Sequence, residues 1–229
     1  LLMGANLIEI SRQNKVQKFV IIGTALGYPL SAQIPLKESD LWNGYPEETL
    51  APLGLASKMM LVQAQAYRKQ YGFNAIYLIP ANLYGPRDHF SADKAHVIPS
   101  LIRRFDEAVS QKKDKVEIWG TGKASREFLY VEDAARGIIL ALKNYDNPLP
   151  LNIGSGEEIT IKELVNKIAS LSGYKKEIFW DVSKPEGQLR RCMDNSRLKK
   201  ELGFNSSTSF DVGLEKTIRW YQSNKDKFN

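Results

Sequence analysis

The side chains best placed for chemistry sit in two short stretches, Pro80-Ala-Asn-Leu-Tyr-Gly-Pro86 and His96-Val-Ile-Pro99. Asn82 and Leu83 follow an apolar run, and the carboxyl end of a parallel strand is where α/β sheets place their ligands. A turn asparagine followed by a core leucine would carry the same letters without a function. His96 opens a helical pattern, and an imidazole can pass a proton near neutral pH. The plainer reading of that position is a helix-start histidine on a polar face. Cys192 is the only cysteine, so no internal disulfide can form, and with two histidines in the chain a structural zinc site is not expected.

These residues need a scaffold. At 229 residues the chain can hold one large domain, or one and a half smaller ones. Its net charge of +6 favours anionic partners, but Lys and Arg are spread along the chain, so a phosphate-bearing small molecule satisfies the charge as well as nucleic acid does. No apolar stretch approaches the ~20 residues of a membrane span, and no signal-peptide pattern opens the chain. The expectation is a cytoplasmic protein with no membrane or nucleic-acid partner.

Helical spacing covers Met3–Asn14, and Lys18–Gly23 reads as a buried parallel strand feeding a long loop to about Leu50. A helix over Pro52–Tyr71, with Leu55, Met59, Val62 and Ala66 at core spacing, precedes a strand at Asn74–Pro80. Beyond Pro86 the pattern predicts helices at about 96–111, 131–144, 161–172, 196–202 and 211–224, with strands at 116–119, 127–131, 151–154 and 177–181. The fold class is α/β: a partial Rossmann-like parallel sheet with a small C-terminal α/β domain. A dinucleotide fold needs a Gly-rich turn after its first strand to receive the pyrophosphate. Trp119-Gly-Thr-Gly122 and Ile153-Gly-Ser-Gly156 are spaced as turns and come too late, so the reading is of an N-terminally truncated chain.

Three segments, Pro80–Pro86, His96–Phe105 and Trp119-Gly-Thr-Gly-Lys-Ala-Ser-Arg-Glu-Phe-Leu-Tyr-Val-Glu-Asp133, resemble in order and spacing the GDP-L-fucose synthases. That group belongs to the NAD-dependent epimerase/dehydratase family of extended short-chain dehydrogenase/reductases. Leu151–Gly156 and Lys184-Pro-Glu-Gly-Gln-Leu-Arg-Arg-Cys-Met-Asp194 extend the likeness over essentially the whole chain. The resemblance implies NADP-dependent 3,5-epimerisation and 4-reduction of a GDP-4-keto-6-deoxy sugar, NADP(H) as cofactor, and a homodimer. It implies that residues 1–90, with 128–155 returning, form part of the dinucleotide-binding domain, and that 91–127 and 156–229 bind the sugar nucleotide. It places Asn82 and Leu83 beside the nicotinamide, makes His96 the epimerisation acid, and sets Arg104 and Arg126 on the diphosphate, where a guanidinium fork suits phosphate oxygens. Lys184 and Arg191 are further candidates of that kind, and Cys192 is expected to pack.

The departures from the family are as specific as the matches. Reduction there uses a Tyr and, four residues on, a Lys, one helix face carrying both. The ammonium lowers the phenol's pKa and holds the cofactor ribose. Here the helix begins Ala51-Pro-Leu-Gly-Leu-Ala-Ser57, which puts Leu53 at the Tyr position and Ser57 at the Lys position. Sliding by one residue recovers Lys58 but sets Gly54 where the phenol should be. In Gly23-Thr-Ala-Leu26, Thr24 can still offer a hydroxyl to a substrate carbonyl, while Leu26 replaces the partner thiol of epimerisation. Tyr221 and Lys225 have the right spacing but follow no strand-end Ser or Thr. The reading is a family member that does not catalyse. The alternatives are an active enzyme using Tyr45 or Tyr28, another nucleotide-sugar epimerase/dehydratase, or a binding or dimerisation module built on the helices at Met3–Asn14 and Pro52–Tyr71.

Overall fold

The structure is a computed structural model and describes residues 1–91, 95–184 and 187–228. In chain order the elements are α1 (Leu2–Gln13), β1 (Phe19–Ile22), α2 (Ala51–Tyr71), β2 (Ala75–Pro80), β3 (Asn82–Tyr84), α3 (Val97–Ser110), β4 (Lys115–Trp119) and β5 (Ser125–Tyr130). Then follow α4 (Val131–Asn144), β6 (Leu151–Ile153), β7 (Glu158–Thr160), α5 (Ile161–Leu171), β8 (Glu177–Asp181), β9 (Arg190–Arg191), α6 (Ser196–Leu202) and α7 (Phe210–Asn224). The α/β class expected from the sequence is what the chain adopts. β3, β7 and β9 were not legible, because they are two or three residues long and carry neither a sustained alternation nor an apolar run.

The chain divides into two compact units. Unit 1 comprises Leu1–Ala81, Ala134–Gly156 and Cys192–Asn205; unit 2 comprises Asn82–Asp133, Glu157–Arg191 and Ser206–Asn229. The first boundary falls at Ala81 rather than at residue 90, because β3 pairs with β5 and not with the sheet of β2. The segment Cys192–Asn205 belongs with unit 1 rather than with the rest of 156–229. Leu36 bridges Met193, and the Asp194 N–H donates to the Leu36 carbonyl at 2.8 Å.

Unit 1 is built on the parallel sheet β1-β2-β6. Both faces of β2 are covered, which is why Ala-Ile-Tyr-Leu-Ile reads as an unbroken apolar run. Asn152 on β6 is the polar centre of this unit. It accepts from the Tyr28 hydroxyl at 2.7 Å, donates its backbone N–H to Glu38 at 3.0 Å, and gives its amide to the Leu36 and Asp194 carbonyls. Those bonds tie the long loop between β1 and α2 to the sheet.

Pro52 near the start of α2 and left-handed Gly72 after its end set the helix limits. Its packed face is not the one expected. Gly54, Ser57, Lys58, Leu61 and Ala64 are buried, whereas Leu55, Met59, Val62 and Ala66 are exposed. Small residues let the helix approach the chain at Leu26 and Gly27 closely: a Cβ on Gly54 would lie 2.4 Å from the Leu26 carbonyl oxygen. The larger apolar side chains are left on the outer face.

Unit 2 holds β3, β5 and β7 with β9 alongside β5, a separate parallel pair β4-β8, and the helices α3, α5 and α7. Phe90, Ile102, Phe105, Leu164, Ile168 and Leu214 are among its core residues. α5 starts at a capping box, in which the Glu163 N–H donates to the Thr160 hydroxyl and the Glu163 carboxylate accepts from the Thr160 N–H.

Candidate functional site

Unit 2 contains a cavity of about 530 Å³. Its walls come from β3 and the turn after it (Asn82, Leu83, Arg87), the start of α3 (His96) and the start of β5 (Arg126, Phe128). β3 and β5 run parallel with Asn82 opposite Phe128, so their pairing fixes the spacing of two walls. The Asn82 amide donates to the Glu127 carbonyl at 2.9 Å, which orients its side chain on β5. Arg126 donates through Nη1 to the Ser125 carbonyl at 2.7 Å. His96 is the residue before the first turn of α3, has an extended backbone and makes no side-chain capping bond. That first turn carries no acidic residue, so its positive end is not neutralised from within the helix. The cavity combines an imidazole, two guanidinium groups, the Asp88 carboxylate, an amide and an aromatic wall; the guanidinium groups outnumber the carboxylate, so the set suits an anionic polar ligand and proton transfer beside it.

Of the sequence candidates, Asn82, Leu83, His96 and Arg126 line this cavity, and Arg104, Lys184 and Arg191 do not. The Arg104 guanidinium donates to the Glu117 carbonyl. The Lys184 ammonium stands over the Trp119 ring at 5.7 Å, and Arg191 donates to Gln188 at 3.1 Å. Pro185 and Glu186, which continue the Lys184 motif, lie outside the described residues. Arg87 and Phe128 were not singled out from the sequence. Phe128 lay inside a recognised motif and Arg87 directly after one, but nothing in the letters showed which side chains face the cavity.

The remaining candidates belong to unit 1. The Thr24 hydroxyl accepts from the Leu26 N–H at 3.2 Å and so caps a short helical turn over Ala25–Gly27. Leu53 is 58% exposed. Ser57 is buried, its hydroxyl 2.5 Å from that of Tyr77 on β2. Burial holds the Tyr77 phenol above its ordinary pKa, with the bonds to Ser57 and the Thr24 backbone opposing. The Tyr77 ring fits only because Gly23 has no side chain: a Cβ there would come within 2.4 Å of the phenol oxygen. Lys58 is buried beside Gly27, its ammonium 5.0 Å from the Trp42 ring centre, and burial lowers its pKa. It does not share the Ser57–Tyr77 contact. Tyr221 is a core residue stacked on Phe90 at 4.7 Å, and Lys225 pairs with Asp106. Cys192 is buried.

Neither Leu53 nor Ser57 carries an ammonium or a phenol, and the Ser57 hydroxyl is committed to Tyr77.

The family model for the NAD dependent epimerase/dehydratase family matches residues 1–154. The chain belongs to that family. Among curated members, a probable GDP-L-fucose synthase 1 from Oryza sativa subsp. japonica is 40% identical, over 91% of this chain and 63% of its own length. GDP-L-fucose synthase from Escherichia coli is 37% identical, over 100% of this chain and 74% of its own. The chain thus spans less than two thirds of the rice relative and about three quarters of the bacterial one. Among solved structures of the family's fold, a GDP-mannoheptose C4 reductase from Campylobacter jejuni with NADP bound superimposes with a TM-score of 0.85. It is 29% identical, over 96% of this chain and 74% of that one. Among the described residues no helix is long and apolar enough to cross a membrane.

Proposed function

We propose that the cavity of unit 2 binds a GDP-linked sugar and that this chain does not carry out the NADP-dependent epimerisation and reduction of its relatives. The observation behind the binding reading is the convergence of Asn82, His96 and Arg126 on one cavity. His96 would face the sugar and Arg126 the diphosphate, where its fork can meet two phosphate oxygens. The inactivity reading rests on unit 1. With Leu53 and Ser57 at the Tyr and Lys positions, no phenol with a neighbouring ammonium stands ready to protonate a developing alkoxide. With Leu26 in place of a thiol, His96 also lacks the proton-carrying partner that the resemblance implies. NADP(H) bound in the family's manner would supply hydride, and this chain lacks the side chains that would hold its ribose.

NADPH oxidation in the presence of the GDP-4-keto-6-deoxy sugar tests the inactivity reading. The rate should equal the enzyme-free background, and turnover above it would require another acid, such as Tyr28 or Tyr45. A second reading, self-association, has its own observation: Met3, Leu7 and Ile10 on α1 and Leu55, Met59 and Val62 on α2 are exposed on paired helices. A homodimer through this face predicts twice the chain mass by light scattering, and a monomeric mass would dispose of it.

A further inference from the structure

We infer that Arg87 is an anion-binding residue of the unit 2 cavity and grips a phosphate group of its ligand. Every other arginine among the described residues gives its guanidinium to a protein acceptor. Arg12 and Arg219 pair with carboxylates one helical turn away, and Arg103, Arg190 and Arg197 also pair with glutamates. Arg68, Arg104, Arg126, Arg136 and Arg191 donate to carbonyl oxygens. Arg87 alone among them has no acceptor among the described residues, although it lines the cavity and Asp88 is its neighbour in sequence. The Asp88 carboxylate is turned back onto the loop, accepting from the His89 N–H at 2.7 Å.

The backbone points the same way. Arg87 has φ of 71°, in the left-handed region that side chains disfavour. Lys15 and Lys112 also have positive φ, but each lies two residues past a helix, at the end of α1 or α3, where a left-handed residue closes the last turn. Arg87 closes no helix. It follows Pro86, and an unfavourable conformation at a cavity wall is the kind of strain that functional positions retain. It shares the cavity with Arg126, whose guanidinium already donates to the Ser125 carbonyl, so Arg87 is the fork left for phosphate oxygens.

This inference rests on the sugar-nucleotide reading only for the identity of the ligand, and calorimetry with inorganic pyrophosphate, GDP and guanosine separates the two. Arg87→Gln should weaken pyrophosphate and GDP by about tenfold or more while leaving guanosine unchanged. Arg87→Gly should bind as poorly as Arg87→Gln yet melt no lower than the natural chain, since glycine tolerates this φ; a purely structural arginine would not give that pattern. If pyrophosphate binds in an Arg87-dependent way and GDP binds no tighter, the guanosine-nucleotide reading falls and the role of Arg87 stands. If the variants bind pyrophosphate and GDP like the natural chain, or the natural chain binds neither, the role of Arg87 is overturned.

Discussion

At the residue scale, a hydroxyl at position 57 changes what α2 can offer. Ser57 and Tyr77 meet at 2.5 Å inside unit 1, and Gly23 makes room for the Tyr77 ring. A long cationic side chain at 57 would have to displace the phenol and bury a charge. Ser57→Lys should therefore destabilise the chain by about 2–4 kcal/mol in urea denaturation, and Tyr77→Ser in the same molecule should recover part of that loss. Equal stability of Ser57→Lys and the natural chain would show that the pocket is looser than this contact implies. Leu53→Tyr should be nearly neutral, because position 53 is exposed. Some of this was legible in the letters. The motif order drew attention to Leu26, Leu53 and Ser57. The Tyr77 partner was hidden, because its contact with Ser57 joins a strand to a helix 20 residues away.

At the element scale, helix limits were readable wherever a residue with a stop or start preference stood at the end. Pro52 and Gly72 bracket α2, Thr160 and Glu163 open α5, and Gly203 closes α6. Which face a helix buries was less readable. The apolar stripe of α2 pointed to Leu55, Met59 and Val62, but close approach to Leu26 and Gly27 selected the small residues instead. Gly54 marks the difference. Alanine in a helix interior ordinarily gains up to about 1 kcal/mol over glycine; here its Cβ would meet a backbone oxygen that cannot rotate away. Gly54→Ala should lower stability by about 1–3 kcal/mol, measured by thermal unfolding, and a rise in melting temperature would contradict the packing described.

At the scale of the whole molecule, a net charge of +6 indicated only an anionic partner, whereas the structure places guanidinium groups on one particular cavity. Acid stability depends on carboxylates as well as on those cations. Asp133 is buried; burial pushes its pKa up, but hydrogen bonds from Thr208 and Ser207 outweigh that and leave it below its ordinary value. A lowered carboxylate stabilises the fold above its unfolded pKa, about 3.9, and that contribution is lost as pH falls through the folded value. Asp133→Asn should thus be less stable than the natural chain at neutral pH, with the gap closing below about pH 4. A gap that stayed constant across that range would show that the ionised Asp133 carboxylate does not stabilise the fold.

Sugar-nucleotide binding in unit 2 uncoupled from reduction can be measured by titrating the chain with GDP in a calorimeter, with and without NADPH. GDP should bind saturably and with the same affinity in both titrations. Absence of binding, or an affinity that changes with NADPH, would contradict that reading.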